Sequence, residues 1–322
     1  MYTKRQPPDD LVPLERLLAR LPDNHQQHKT ISNKLYQARA GYSGELKVDR
    51  ILSEIDFPKG SAIMKNITVE INPNFRVQLD TLILTPKRAI LLEIKNYAGT
   101  VLFDEASGKT TKLSADGEIE KFDCIIHQLD RATYAVEKWL NQKQIDLPVE
   151  PILVMANQRT EIPKMPGSTP LKFAKQLPRY IRGLPDNPDE LTPRQITTIA
   201  NQLYINQVKW KRIPASEKHN ISPFELKKGV LCLNCNAIMP RTQGRTWICD
   251  PCGKPNKGAL EQAVADWYLL IGPTLTNKQL RQFLALNSKS AASIIFSQLR
   301  LSRKGTPPRT IYTWDYKLPL HK

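Results

Sequence analysis

Residues 77–99 read VQLDTLILTPKRAILLEIKNYAG: two runs of β-forming residues separated by Thr85-Pro86-Lys87-Arg88. Pro86 presets a turn, so the runs predict two adjacent strands joined as a hairpin. The second run, Ala-Ile-Leu-Leu, is continuously apolar and suits a strand buried on both faces. Side chains alternate along a strand, so Glu93 and Lys95 share one face while Ile94 takes the other. The hairpin brings Asp80 across from that pair. An E-x-K on a strand is more often a surface ion pair; the buried context sets this one apart, because an unpaired carboxylate there is costly. Two carboxylates converging at the end of a strand pair suit Mg²⁺ that retains some of its waters. Lys95 beside them suits orienting or deprotonating a water and stabilising developing charge.

Working outward, SAIMKNITVEI (61–71) predicts a further strand before the hairpin. GYSGELKVDRILSEI (41–55) predicts a helix with Leu46, Ile51, Leu52 and Ile55 facing inward, and Glu45 on this helix is a further acid for the metal shell. After a polar loop, DCIIHQLDRATYAVEKWL (123–140) reads as an amphipathic helix with Cys124 on its apolar side, and VEPILVMA (149–156) as a buried strand. The β-β-β-α-β order predicts an α/β domain over residues 39–215, a mixed sheet with a helix packed on each side. Residues 163–193 are proline-rich and loop-like, and PRQITTIANQLYINQV (193–208) closes the domain as a helix. Ahead of it, residues 1–38 form an extension with one amphipathic helix, LVPLERLLARLP (11–22). His25 and His28 lie at helical spacing but lack a third ligand nearby.

Charge narrows the partners. The 322 residues carry 47 Lys and Arg against 31 Asp and Glu, a net +16. From Lys227 onward there are fifteen bases and four acids, so a polyanion is the expected partner and this terminal third its expected grip. The longest apolar runs are too short to span a bilayer, and MYTKRQPPDD has no apolar signal region. No membrane partner is expected, and the expected location is cytoplasmic.

Within that terminal third, Cys232-x-x-Cys235 and Cys249-x-x-Cys252 form two knuckles thirteen residues apart. Four thiolates so arranged make a closed tetrahedral site for structural Zn²⁺, and residues 227–258 are read as a zinc ribbon. Disulfide pairing is disfavoured where thiols stay reduced. Residues 259–322 predict a winged helix-turn-helix domain. Its first helix is ALEQAVADWYLLIG, the second is capped by Thr276 and the third by Ser288 or Ser290, and a basic hairpin follows. In a DNA-binding reading, Ser288, Lys289, Ser290 and Ser293 face the major groove, and Arg300, Arg303, Lys304 and Arg309 contact phosphates. A three-helix packing module with a solvated basic face is the competing reading.

GYSGELKVDRIL, VQLDTLIL and AILLEIKNYAGTV together resemble the nuclease-related domain (NERD) family, grouped with the PD-(D/E)-x-K restriction-like nucleases. The resemblance covers roughly residues 39–155, and its most specific piece is Glu93-Ile94-Lys95-Asn96-Tyr97-Ala98-Gly99. It implies a restriction-endonuclease-like α/β fold and a Mg²⁺- or Mn²⁺-dependent DNA endonuclease that leaves 5′-phosphates. Asp80 and Glu93 would be metal ligands and Lys95 catalytic, with Glu45 and Gln128 accessory. The zinc ribbon and winged helix would target the enzyme to DNA. A homodimer would suit two-strand cleavage, and a protein partner in DNA defence or repair would fit the family's company. The competing class is a non-catalytic DNA-binding or regulatory protein that keeps the nuclease-like fold as a scaffold.

Overall fold

The computed structural model describes residues 3–167, 169–188, 190–205, 213–240, 247–299, 301–306 and 309–314. In chain order these hold α1 (Leu11–Arg20), α2 (His28–Leu52), β1 (Ala62–Asn72), β2 (Phe75–Leu84), β3 (Ala89–Lys95), β4 (Gly99–Asp104), β5 (Lys109–Leu113), β6 (Ile119–Asp123), α3 (Ile125–Gln142), β7 (Val149–Met155), β8 (Thr160–Glu161), β9 (Leu171–Phe173), α4 (Leu177–Arg182) and α5 (Pro193–Ile205). There follow α6 (Ala215–Lys218), β10 (Val230–Leu231), β11 (Ile238–Met239), α7 (Ala259–Leu270), α8 (Asn277–Phe283), α9 (Lys289–Gln298), β12 (Ser302–Lys304) and β13 (Ile311–Thr313). The chain divides into two compact units, one of residues 1–7 with 39–210, the other of residues 8–38 with 211–322. The extension 1–38 is thus shared between them.

In the first unit a five-stranded mixed sheet runs β1-β2-β3-β7-β9. The first three strands are antiparallel and β7 and β9 join in parallel. Apolar residues lie on both faces, as the unbroken AILLEI run requires. Met64, Leu82, Leu91 and Leu153 pack with α3 and α5, whereas Ile63, Ile83, Ile90, Leu92 and Val154 pack with α2 and α4. This is the mixed sheet flanked by helices that the element order predicts. Cys124 is buried in the α3 core.

Three readings of the sequence are corrected, the first being that residues 163–193 are loop-like: they supply β9 to the main sheet and hold α4. Helix α2 begins at His28, well before Gly41; its first turns pack Ile31 and Leu35 against Leu14, Leu17 and Leu21 of the second unit, a contact invisible to local periodicity. The polar loop after β3 is a meander, β4-β5-β6, whose sheet also takes β8 beside β4. Its strands read as loop because they are short and mostly exposed, with Val101 and Thr110 the fully buried positions. The Asp116-Gly117 pair at its second turn was the hairpin signal available.

Gly99 connects the two sheets. Its φ is +87°, and a Cβ there would meet Leu113 O at 2.2 Å. Gly44 lets α2 close on the end of β3, where an added Cβ would meet Asn96 Cβ at 2.5 Å. Asn96 Nδ2 donates to Ala40 O at 2.7 Å, and Lys47 Nζ to Ala156 O at 2.5 Å. Those bonds fasten α2 across the C-terminal ends of β3 and β7. Gly99→Ala combines a left-handed backbone with a backbone clash, and is expected to cost at least about 2 kcal/mol in denaturant unfolding.

The second unit packs α1 and the start of α2 around Ile221, Leu226, Leu269 and Leu270. The described ribbon residues and α7, α8 and α9 share another core. Helix α7 buries more than the single face its pattern suggests, including Asp266 at 0% exposure. Arg16 and Arg20 both reach that carboxylate, each at 2.6 Å. Thr276 caps α8 and Ser288 caps α9, and β12 and β13 form a two-stranded hairpin after the three helices.

Candidate active site and metal centre

Pairing of β2 with β3 sets Thr81 opposite Leu92, which places Asp80 beside the Glu93 position. Asp80 Oδ2 accepts the Ile94 backbone N–H at 2.8 Å. Glu93 and Lys95 alternate onto the face covered by α3. There Lys95 Nζ lies 2.7 Å from Glu93 Oε1 and donates to Gln128 Oε1 at 3.2 Å. Glu93 is 3% exposed, whereas Gln128 stands at the exposed rim. Four of the residues singled out in the sequence therefore meet at one end of the β2–β3 pair.

Glu45 approaches from α2, on the opposite side of the sheet, and its partner went unnoticed in the sequence. Arg5 Nη1 donates to Glu45 Oε2 and to Asn66 Oδ1, both at 2.8 Å. Its Nε and Nη2 bond Asp49 at 3.0 and 3.1 Å, and Nη2 also bonds Thr81 Oγ1 at 2.8 Å. Lys65 completes the group at 3.1 Å from Asp49. Asp49 lies one helical turn beyond Glu45, so this shared face was legible. Arg5 was not: it lies in a polar stretch without periodicity.

Burial dominates the electrostatics. It pushes the Asp80 and Glu45 carboxyls above their ordinary range despite the opposing N–H bond and neighbouring cations. Glu93 rises to about 7, first through burial and next through repulsion from Asp80. Burial alone would lower Lys95, but its ion pair with Glu93 and the neighbouring Tyr97 and Asp80 leave it above the usual lysine value. Lys95 thus stands as an ammonium donor beside Glu93. Two adjacent buried carboxylates, with Asp80 raising the pKa of Glu93, form a hard-oxygen donor set suited to Mg²⁺ or Mn²⁺, which needs only one or two protein carboxylates. Among the described residues, however, Glu45, Asp80 and Glu93 are not gathered into a three-carboxylate cluster.

A carboxyl raised from 4.5 to about 7 contributes stability that is fully present below 4.5 and lost as pH rises through 7. In EDTA, the unfolding free energy of the wild type is expected to fall as pH rises across that window relative to Glu93→Gln, measured by denaturant titration at pH 5, 6, 7 and 8.

The four cysteines do converge, with all ligand sulfurs within 4.8 Å of one another. Cys235 Sγ and Cys249 Sγ are 3.5 Å apart, close to the edge of about 3.8 Å for a tetrahedron with Zn–S bonds of about 2.3 Å. The two knuckles repeat one design. Asn236 and Gly253, each following the second cysteine, have φ of +59° and +63°. Their N–H groups donate back to Cys232 O and Cys249 O at 3.0 and 2.7 Å. Asn234 N–H and Nδ2–H each reach a sulfur, Cys232 and Cys252, at 3.4 Å, and such bonds favour the thiolates. The donor set fits Zn²⁺ in a structural role. Protein purified without chelator is expected to hold one zinc per chain, and Cys249→Ser to lose it, by metal analysis and a chelator-release assay.

Of the proposed nucleic-acid contacts, Ser288, Lys289, Ser290 and Ser293 are exposed at the start and along the outer face of α9. Ser288 Oγ is taken up by the cap, and Asn277 Nδ2 bonds Lys289 O and Ser293 Oγ at 3.2 Å each. Arg303, Lys304 and Arg309 are exposed on or beside the β12–β13 hairpin. Arg300 lies outside the described residues. No helix among those residues is long and apolar enough to cross a membrane.

Residues 40–156 match the family model described as nuclease-related domain (NERD), a span that holds Glu45, Asp80, Glu93, Lys95 and Gln128. Comparison with curated proteins and with solved structures returns no match. The chain carries a nuclease-related domain over residues 40–156.

Proposed function

We propose that the protein is a metal-dependent DNA endonuclease that hydrolyses phosphodiester bonds. The observation that carries this reading is the meeting of Asp80, Glu93, Lys95 and Gln128 at one end of the β2–β3 pair, inside the nuclease-related span. Asp80, through the oxygen not bonded to Ile94, and Glu93, through the oxygen not paired with Lys95, would hold Mg²⁺ or Mn²⁺. Such an ion supplies Lewis acidity at the phosphate and a more acidic water. Lys95, paired with Glu93 at 2.7 Å, would donate to a phosphoryl oxygen as negative charge develops. Gln128 orients the ammonium from the rim. Hydrolysis adds water to phosphorus, breaks the P–O3′ bond and leaves a 5′-phosphate.

The second unit would bring DNA to the site. Its net positive charge gives affinity with a steep salt dependence, with α9 in the major groove and Arg303, Lys304 and Arg309 on phosphates. The zinc holds the ribbon and takes no part in hydrolysis. A scaffold reading, in which the protein binds DNA without cutting it, draws support from the hydrogen-bonded Asp80 and the absence of a three-carboxylate cluster among the described residues.

Supercoiled plasmid incubated in Mg²⁺, Mn²⁺ or EDTA separates the two. The expected result is metal-dependent nicking by the wild type, with Lys95→Ala slower by at least about 100-fold at unchanged DNA affinity. Equal cutting by both proteins removes Lys95 from the mechanism. Binding without cutting in every metal favours the scaffold reading.

A further inference from the structure

Arg5 is 4% exposed, a rare state for arginine, which is buried only when its charge and donors are satisfied. Here the satisfaction is complete. A guanidinium has five N–H donors, and each makes a bond of 2.8 to 3.1 Å: two to Asp49, one each to Glu45, Asn66 and Thr81. The segment carrying it is laid beside β1 by backbone pairing. Thr3 N–H donates to Ile63 O and Lys65 N–H to Thr3 Oγ1, both at 3.1 Å. Asn66, between these contacts and Arg5, takes a left-handed backbone with φ of +51°. That local departure from strand geometry accompanies the turn of its amide toward Arg5, and Asn tolerates the conformation better than most residues.

The partners are not a random set. Glu45 and Asp49 lie one turn apart on α2, and Thr81 directly follows Asp80. Among the described residues only Oε2 of Glu45 is hydrogen-bonded, which leaves Oε1 for another task. All these residues lie in the first unit, yet Arg5 lies outside the nuclease-related span of 40–156.

We infer that Arg5 is a positioning residue of the hydrolytic site: it grips Glu45 through one oxygen and orients the other toward the end of the β2–β3 pair, so that the nuclease-related span is incomplete without residues 3–6. This rests on the nuclease reading above. A fork that bonds several acceptors at once fixes direction as well as charge, which a lysine does not reproduce.

The test is a double-mutant cycle with Arg5→Met and Glu45→Gln in the full chain. It is read as kcat and KM for plasmid nicking, as DNA affinity by fluorescence anisotropy in EDTA, and as thermal unfolding in EDTA. Arg5→Met is expected to lower kcat about 100-fold, the scale of a misplaced active-site group, with KM and DNA affinity unchanged. In the Glu45→Gln background the same change is expected to cost less than about 3-fold more, because the residue it acts through is already altered. Unfolding in EDTA should show the same non-additivity. Should Arg5→Met fail to fold, Arg5→Lys takes its place, with an expected kcat loss of about 10-fold. Multiplicative losses in the cycle, or an unchanged kcat in a folded Arg5 variant, would overturn the inference. A wild type that cuts in no metal overturns the nuclease reading itself, and this inference with it; the wild-type control tells the two failures apart.

Discussion

The first unit is organised around carboxylates that its sheet buries. Strand β3 is apolar on both faces because helices cover both, and that coverage extends to its last residues, where Glu93 is nearly inaccessible. A charged group in that position requires compensation from close by. Lys95 supplies it from the same strand, two residues on, because side chains of equal parity share a face. Asp80 meets the backbone N–H of Ile94 for the same reason of demand. The loop after β3 is then shaped to end the strand just past this group: Asn96 ties it to α2, Tyr97 packs on Phe122 at 5.4 Å and accepts Thr160 Oγ1 at its carbonyl, and Gly99 turns the chain into the second sheet.

Two further buried ionic groups meet the same demand differently. Around Arg5 every donor is matched, and around Asp266 two arginines share one carboxylate, held low by Arg16 and Arg20 against the pull of burial. Removing one member of such a set leaves an uncompensated charge, whereas the intact set adds little over a packed apolar core. These groups therefore specify which segments come together more than they add net stability. In each, one partner comes from the chain's first twenty residues and the other from far along it.

Much of the candidate site was legible because it depends on short-range rules. Glu93 and Lys95 share a face by strand parity, Asp80 is carried opposite by a four-residue turn, and Glu45 and Asp49 share a helix face by their spacing. The knuckles are equally local, each needing a C-x2-C followed by a residue that accepts a left-handed backbone. Gln128 is different in kind: it was singled out through family resemblance, and the helix position alone offers no reason to choose it over neighbouring polar residues.

The sequence by itself determined the mixed sheet with its helices, the identity of the acids and lysine at the β2–β3 end, and the four sulfurs, because periodicity, turns and ligand spacing are written within a few residues. The tertiary structure alone decided the early start of α2, the β4-β5-β6 meander, the burial of Asp266 and the place of Arg5. Each of these depends on a contact between residues far apart in the chain. Short polar strands acquire their order from pairing, and a buried arginine is favourable only where distant acceptors converge on it. No local pattern encodes that convergence.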